Sequence, residues 1–273
     1  AAERGALTER EGELRLEAGR LAALDLPDSL AAAARARLRT LSAAGLALAR
    51  ALAVIGRPAH AGEVLAVGDV PDSGALAELA VAGLARCDER GQWGVSPPGL
   101  AASIARAIPE AERKAFHARA LALGGLGARE RFEHLRELGR TWEALAEAEA
   151  GLAGDGDEAL VLDATELADR IAPDVAPRWQ ERAGTLLIQH GHHRAAIPHI
   201  ERALSSPSGL AERPRLWHLL ASALLRTSRP EQVREAIARA RSETLPAQIE
   251  GLLSCSEAAA FLTAAAMPEA AAG

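Results

Sequence analysis

At 273 residues, nearly half hydrophobic and a quarter charged, the chain has the composition of a globular protein and the length of two domains. Its formal net charge of −6 argues against a general nucleic-acid binder, because affinity for phosphates depends on clustered Lys and Arg. No apolar run approaches the ~18 residues of a membrane span, so a soluble, cytoplasmic protein is expected. The two cysteines, Cys87 and Cys255, lie far apart and read as unpaired, buried thiols of a reducing compartment. Lys114 is the one lysine amid many Arg, Ala, Gly and Leu, a bias that suggests a GC-rich bacterial genome.

Residues 1–25 read as a linker or as the remnant of an upstream domain. The chain starts at Ala1 inside a polar pattern without the charge and apolar layout of a signal peptide, which suggests a piece of a longer protein. Leu26-Pro27-Asp28-Ser29-Leu30 is a helix-start signal before an Ala-rich run to Arg39. Leu41-Ser42 starts the next helix, whose apolar positions Leu46, Leu48, Leu52, Val54 and Ile55 run to Gly56, and Arg57-Pro58 ends it. Short helices are predicted around Ala59 to Val67 and around Ser73 to Gly83. Leu84 to Cys87 and Gln92 to Val95 then flank Asp88-Glu89-Arg90-Gly91, the pattern of a two-stranded hairpin with a glycine-containing turn.

Three helices followed by a hairpin is the order of a winged helix, expected over residues 26–108. From Ala59 to Ala85 the charged residues are Glu63, Asp69, Asp72 and Glu78, so the helix that would enter a major groove offers no cation to a phosphate. The element is therefore expected to pack against protein. Its order, with Ala53-Val54-Ile55-Gly56 and Leu76 through Leu84, resembles the winged-helix segment that follows the ATPase core in signal-transduction ATPases with numerous domains, the STAND proteins, and in related multidomain kinases. In that family a phenylalanine-x-histidine sequence commonly closes the hairpin. Val95-Ser96-Pro97-Pro98 stands there in this chain, so no role of that histidine carries over. Leu100 to Ile108 and Glu110 to Leu123 read as helices leading into a second region, residues 109–273.

That region says one thing twice. Two helix-turn-helix units open at Pro177 and Pro214, 37 residues apart. In the first, Trp179, Ala183, Leu186, Leu187 and His190 share one helical face, Gly191 ends the helix, and Ala196, Ile197, Ile200, Ala203 and Leu204 form the face of the next. Ser205 to Gly209 break the pattern. Leu216, Trp217, Leu220 and Leu224, then Pro230, Val233, Ile237 and Ala240, restate the design. Such units cannot bury their apolar faces alone and close them by stacking.

The run Gly184, Leu187, Gly191, His193, Ala196, Ile200, Ala203, Leu204 resembles a tetratricopeptide repeat, and Trp217, Leu220, Ala221, Leu224, Ile237 and Ala240 echo it. The spacing exceeds the usual 34 residues, and Pro198 falls inside the second helix, where it costs roughly 3 kcal/mol or a kink. The expected fold is mainly α: a winged helix with a small β-hairpin followed by a tetratricopeptide-like α-helical repeat array.

Sites for chemistry are sparse. A STAND ATPase needs a glycine-rich loop ending in Lys and Ser or Thr, yet Lys114 sits in Ala111-Glu112-Arg113-Lys114-Ala115 with no glycines before it. The resemblance places the nucleotide-binding domain upstream of Ala1. His190, His192, His193 and His199 are interrupted by Gly191 and lack an evident neighbouring Cys or Glu, so no metal is expected. Ser254-Cys255-Ser256 has no adjacent histidine, and Asp155 and Asp157 read as helix punctuation. No catalytic residue and no cofactor is predicted.

The tetratricopeptide register gives the candidate partner-binding positions. They are Arg178, Glu181, Arg182, Thr185 and Gln189 on one helix and Arg215, His218, Ser222 and Arg226 on the next. The arginines suit acidic or carboxylate groups. The carboxylate clamp of chaperone-binding family members depends on asparagines, which this sequence lacks. The resemblance implies a non-catalytic regulatory and sensor region of a STAND-like ATPase or multidomain kinase. Its partners would be a protein or peptide effector on the repeats and an upstream ATPase domain, with no nucleic acid and no membrane. A free-standing tetratricopeptide-like adaptor and part of an ATPase-type transcriptional regulator stay open.

Overall fold

The computed structural model describes residues 7–10, 13–16, 36–97, 99–152, 157–206 and 213–270. It is mainly α-helical, and its chain contacts divide it into two compact units, Ala1–Arg140 and Thr141–Gly273. The start of the helix expected from Leu26–Leu30 lies outside the described residues; near its expected end, residues 36–38 are helical. Within the stretch read as a linker, β1 (Leu7–Arg10) pairs antiparallel with β2 (Glu13–Leu16).

The first unit is built on α1 (Ala43–Ile55), which begins and ends where local chemistry dictates. The Ser42 hydroxyl accepts from the Gly45 N–H at 3.0 Å, and Gly56 closes the helix at φ 71°, a left-handed conformation that glycine adopts without a Cβ penalty. The same hydroxyl donates to Glu78 at 2.5 Å, while the Ser42 N–H donates to the other Glu78 oxygen at 2.6 Å. These bonds hold the Glu78 carboxyl below its ordinary pKa. Ser42→Ala removes the cap and is expected to lower stability by about 1 kcal/mol. Urea unfolding followed by circular dichroism measures it, and an unchanged midpoint would show the cap to be idle.

Ala59 does not begin a helix. Ala59–His60 form a short strand, β3, and α2 (Ala61–Gly68) starts after it, with the Glu63 carboxylate accepting from the His60 N–H at 2.9 Å. α3 (Gly74–Val81), β4 (Ala85–Cys87) and β5 (Gln92–Val95) follow. Asp88 makes the hairpin turn, its carboxylate accepting from the N–H groups of Arg90 and Gln92. β3 joins the outer edge of the hairpin, giving a three-stranded antiparallel sheet of order β3-β5-β4. A two-residue strand carries no period of its own, so the partner that defines β3 lies about thirty residues downstream.

α4 (Leu100–Ala107), α5 (Glu110–Leu121) and α6 (Ala128–Glu137) complete this unit. Phe116 and Ala120 of α5 enter the same core as Leu48, Leu52, Val64 and Leu79, and Arg119 donates to the Val67 carbonyl at 2.6 Å. α5 thus packs with the helices before it.

The second unit is a run of helix pairs: α7 (Thr141–Gly151) and α8 (Glu158–Ile171), α9 (Ala176–Gln189) and α10 (His193–Ser205), α11 (Arg213–Arg226) and α12 (Pro230–Arg241), closed by α13 (Ala247–Ala270). First helices begin at residues 141, 176, 213 and 247, spaced by 35, 37 and 34. The doubled pattern is therefore part of a longer series, whose earlier pair is rich in Ala and Glu and advertises itself weakly. Asp157 caps α8 through the Leu160 N–H. Leu187, Ile200, Leu216, Leu220, Ile237 and Leu253 form one continuous core from α9 to α13. Pro198 sits inside α10 without ending it, on the exposed side of the helix.

One expectation about the thiols is corrected. Cys87 and Cys255 are free, as read, but both are exposed: the first ends the edge strand β4, and the second lies on the side of α13 opposite Leu253 and Ser256. Among the described residues, no helix is long and apolar enough to cross a membrane.

Candidate functional site

The candidate positions fall on the first helices of two consecutive pairs, α9 and α11. Arg178, Gln189, Arg215 and Arg226 are exposed; Glu181, Arg182, Thr185, His218 and Ser222 are half-buried. The structure brings two of them together. Arg178 and Arg182 line a groove of about 150 Å³ with Trp142 and Glu149 of α7 and Val175 and Trp179 at the start of α9. Arg182 bonds Glu149 at 2.7 Å and lies 5.3 Å over the Trp179 ring, so an ion pair and a cation–π contact fix it as a wall. Arg178 stands one turn earlier, and its guanidinium has no partner among the described residues.

Trp142 and Glu149 escaped the sequence reading because the repeat register was counted from Pro177, one pair too late. Gln189, Arg215, Ser222 and Arg226 do not line this groove. His218 has a buried Nδ1 without a partner among the described residues, and burial lowers its pKa, which favours a neutral imidazole.

The histidines between 190 and 199 do not form one cluster. His190 and His192, on either side of Gly191, reach the same carboxylate, Glu158, at 2.7 and 3.1 Å. Glu158 is thereby held below its usual pKa, first by the bond from His190. This carboxylate lies more than thirty residues upstream, which is why no neighbouring acid was evident in the sequence. His199 bonds the buried Gln180 side chain at 2.7 Å, and Gln180 donates to Asp169 at 2.6 Å, so these three tie α8, α9 and α10 together. The Nδ1 of His193 is buried without a partner among the described residues. Among the described residues, no group of three or more His, Cys, Asp or Glu is arranged to hold a metal ion.

A second cavity, of about 590 Å³, opens between α10 and α12 over α11. Leu204, Leu220, Leu224 and Trp217 line it beside Arg213 and Arg239. Glu243 takes Arg213 at 2.9 Å and the Trp217 indole N–H at 3.1 Å, while Glu235 takes Arg239 at 2.7 Å. Both cations are thus already satisfied from within.

In the first unit, His117 of α5 and His134 of α6 are 8% and 4% exposed, with Nδ1 atoms 3.0 Å apart. One neutral ring donates to the other. Burial, then the charge of its partner, pushes His117 down to about 4, and burial also lowers His134. The neighbouring charges are Arg113 and Arg136 beside His117, and Glu130 and Arg57 beside His134.

No family model matches the chain, and no curated protein does. A crystal structure of a signal-transduction ATPase with numerous domains that carries a tetratricopeptide repeat sensor, from Pyrococcus horikoshii, is similar over 71% of this chain at 14% identity, with a TM-score of 0.37. The chain spans about a third of that protein's length, 31%.

Proposed function

We propose that this chain is a non-catalytic, protein-binding regulatory region: a winged helix and a tetratricopeptide-like sensor array of a STAND-like signalling ATPase or multidomain kinase. The observation that carries the binding role is the series of helix pairs with first helices starting at residues 141, 176, 213 and 247. Stacked pairs of this length present their first helices side by side, which makes an extended surface for a polypeptide. Along it run Arg178, Glu181, Arg182, Thr185 and Gln189, then Arg215, His218, Ser222 and Arg226. Gly184 supports the tetratricopeptide register, because α9 and α10 lie too close there for a side chain: a Cβ would meet Ile200 Cγ1 at 2.5 Å.

The winged-helix reading rests on the order α1, β3, α2, α3, β4, β5 with β5 central in the sheet. The helix that would read DNA, α3, exposes Ala77, Ala80 and Val81, the last 90% exposed, and its one carboxylate is engaged with Ser42, the cap of α1. Such a surface suits protein packing and offers a phosphate no cation. The module would contact an upstream ATPase domain, and effector binding would bias that domain only through different affinities for two of its states.

Two measurements test the reading. The gene upstream of Ala1 is expected to encode a glycine-rich loop ending in Lys and Ser or Thr; an open reading frame that begins at Ala1 removes the ATPase part and leaves the adaptor. The 273-residue chain is also expected to bind members of an array of random 15-residue peptides, and the double variant Arg178→Glu, Arg215→Glu is expected to lose at least tenfold in affinity. Absence of any binding would refute the sensor role.

A further inference from the structure

We infer that the groove between α7 and α9 takes an acidic segment of a partner polypeptide, with a carboxylate side chain next to a bulky apolar one. The inference rests on the protein-binding reading above and adds the chemistry of the ligand.

Size restricts the occupant first. Pockets for cofactors and drug-sized ligands begin at about 300 Å³. A groove of about 150 Å³ has room for one or two side chains of a chain lying across it. Charge restricts it next. The protein is acidic overall at −6, yet this groove holds two arginines and one glutamate. Glu149 and the Trp179 face satisfy Arg182, which leaves Arg178 as an exposed guanidinium with no partner among the described residues. A planar fork of N–H donors is matched best by a carboxylate, which it grips through two parallel bonds. Two cations, one of them paired with a carboxylate, are too few and too locally neutralised for a nucleic-acid backbone.

The apolar half of the site is Trp142. Its side chain is 62% exposed at the groove, while Trp179 beside it is 5% exposed and belongs to the fold. An indole left in water at the rim of a small cavity gains most from a ligand that covers it, and Trp and Arg are the residues that concentrate binding energy at interfaces. Arg178 and Trp142 flank the same cavity, so the carboxylate and the apolar side chain of the ligand must be close neighbours in its sequence.

The experiment is selection and charge reversal. Peptides retained by the full chain from a random 15-residue array are expected to be enriched in Asp or Glu within two positions of Leu, Ile, Phe or Trp. By fluorescence anisotropy, Arg178→Glu weakens those peptides at least tenfold and turns the array preference toward Lys and Arg. Trp142→Ala keeps the acidic preference and loses the apolar one. Both positions are exposed, so the variants fold, as circular dichroism checks. Retained peptides without acidic enrichment, or acidic peptides bound equally well by Arg178→Glu, overturn this inference while leaving the protein-binding reading in place. An array with no retained peptide overturns both.

Discussion

Lowering the pH from 7 toward 4.5 is expected to destabilise the first unit, and replacing both His117 and His134 by Leu is expected to abolish most of that loss. The two rings are buried side by side with their planes tilted by 57°, and the bond between them requires that at least one stay neutral. A second proton would put a charge beside Arg113 and Arg136, which already surround His117. The folded-state pKa of His117, about 4, therefore lies below the ordinary 6.5, and that of His134 is lowered too. The sign follows directly: the unfolded chain binds these protons first, so stability is full above about pH 6.5 and falls as the pH drops toward 4. At 1.36 kcal/mol per pH unit, His117 alone accounts for on the order of 2–3 kcal/mol across the window. Carboxylates with lowered pKa values, such as Glu63, lose their contribution only below about 4.5 and do not confuse the upper part. His199 and His218, whose pKa values are also lowered, lie in the second unit and are common to both proteins. Urea unfolding at pH 7.5, 6, 5 and 4.5 gives the slope. The single variant His134→Leu strands a buried Nδ1 and is expected to cost about 1–3 kcal/mol at pH 7.5, whereas the double Leu variant removes both polar groups and recovers much of it. Equal pH slopes for the parent and the double variant would eliminate the pair as the cause.

The same contrast between local and distant partners explains what could be read from the sequence. Ser42, Gly56 and the Asp88–Gly91 turn were legible because each acts within four residues of itself through a backbone group. The faces of α9 to α12 were legible because Leu, Ile and Trp recur at the helical step. β3 was misread, since its ladder partners Gln92 and Trp93 are remote. The histidine pair was silent for a related reason: His117 and His134 are 17 residues apart on different helices, and nothing in either helix marks the other. Glu158 and Trp142 were missed through register. Both belong to the pair α7 and α8, where Ala fills four of the nine buried positions and dilutes the helical period of the larger apolar residues. Candidate positions chosen one pair too late captured the arginine side of the groove and left out its exposed indole.

Gly184→Leu is expected to lower the stability of the second unit by roughly 2 kcal/mol, although Leu favours a helix over Gly by about 1 kcal/mol. The conflict is steric. Gly184 is buried on α9, and a Cβ built on it would fall 2.5 Å from Ile200 Cγ1 and 3.4 Å from the Ile200 backbone nitrogen of α10. Cγ1 is bonded to Cβ and moves only with χ1, which a β-branched residue in a helix holds to one preferred rotamer, and the backbone nitrogen is fixed by its helix. Further methylenes must push α9 from α10, an overpacking cost near the top of the usual range of about 1–3 kcal/mol. Ile200→Ala alone should cost about 2–5 kcal/mol, because Ile200 is fully buried and leaves a cavity. In the double variant the Leu enters the space that the Ile vacates. The two losses are then expected to fall short of additivity by more than about 1 kcal/mol, within the range seen for residues in direct contact. Intrinsic tryptophan fluorescence of Trp179 and Trp217, which are buried on α9 and α11, reports the unfolding of this unit. Strict additivity would mean that residues 184 and 200 do not meet, and with it would fall the helix crossing on which the register of Arg178 and Arg182 depends.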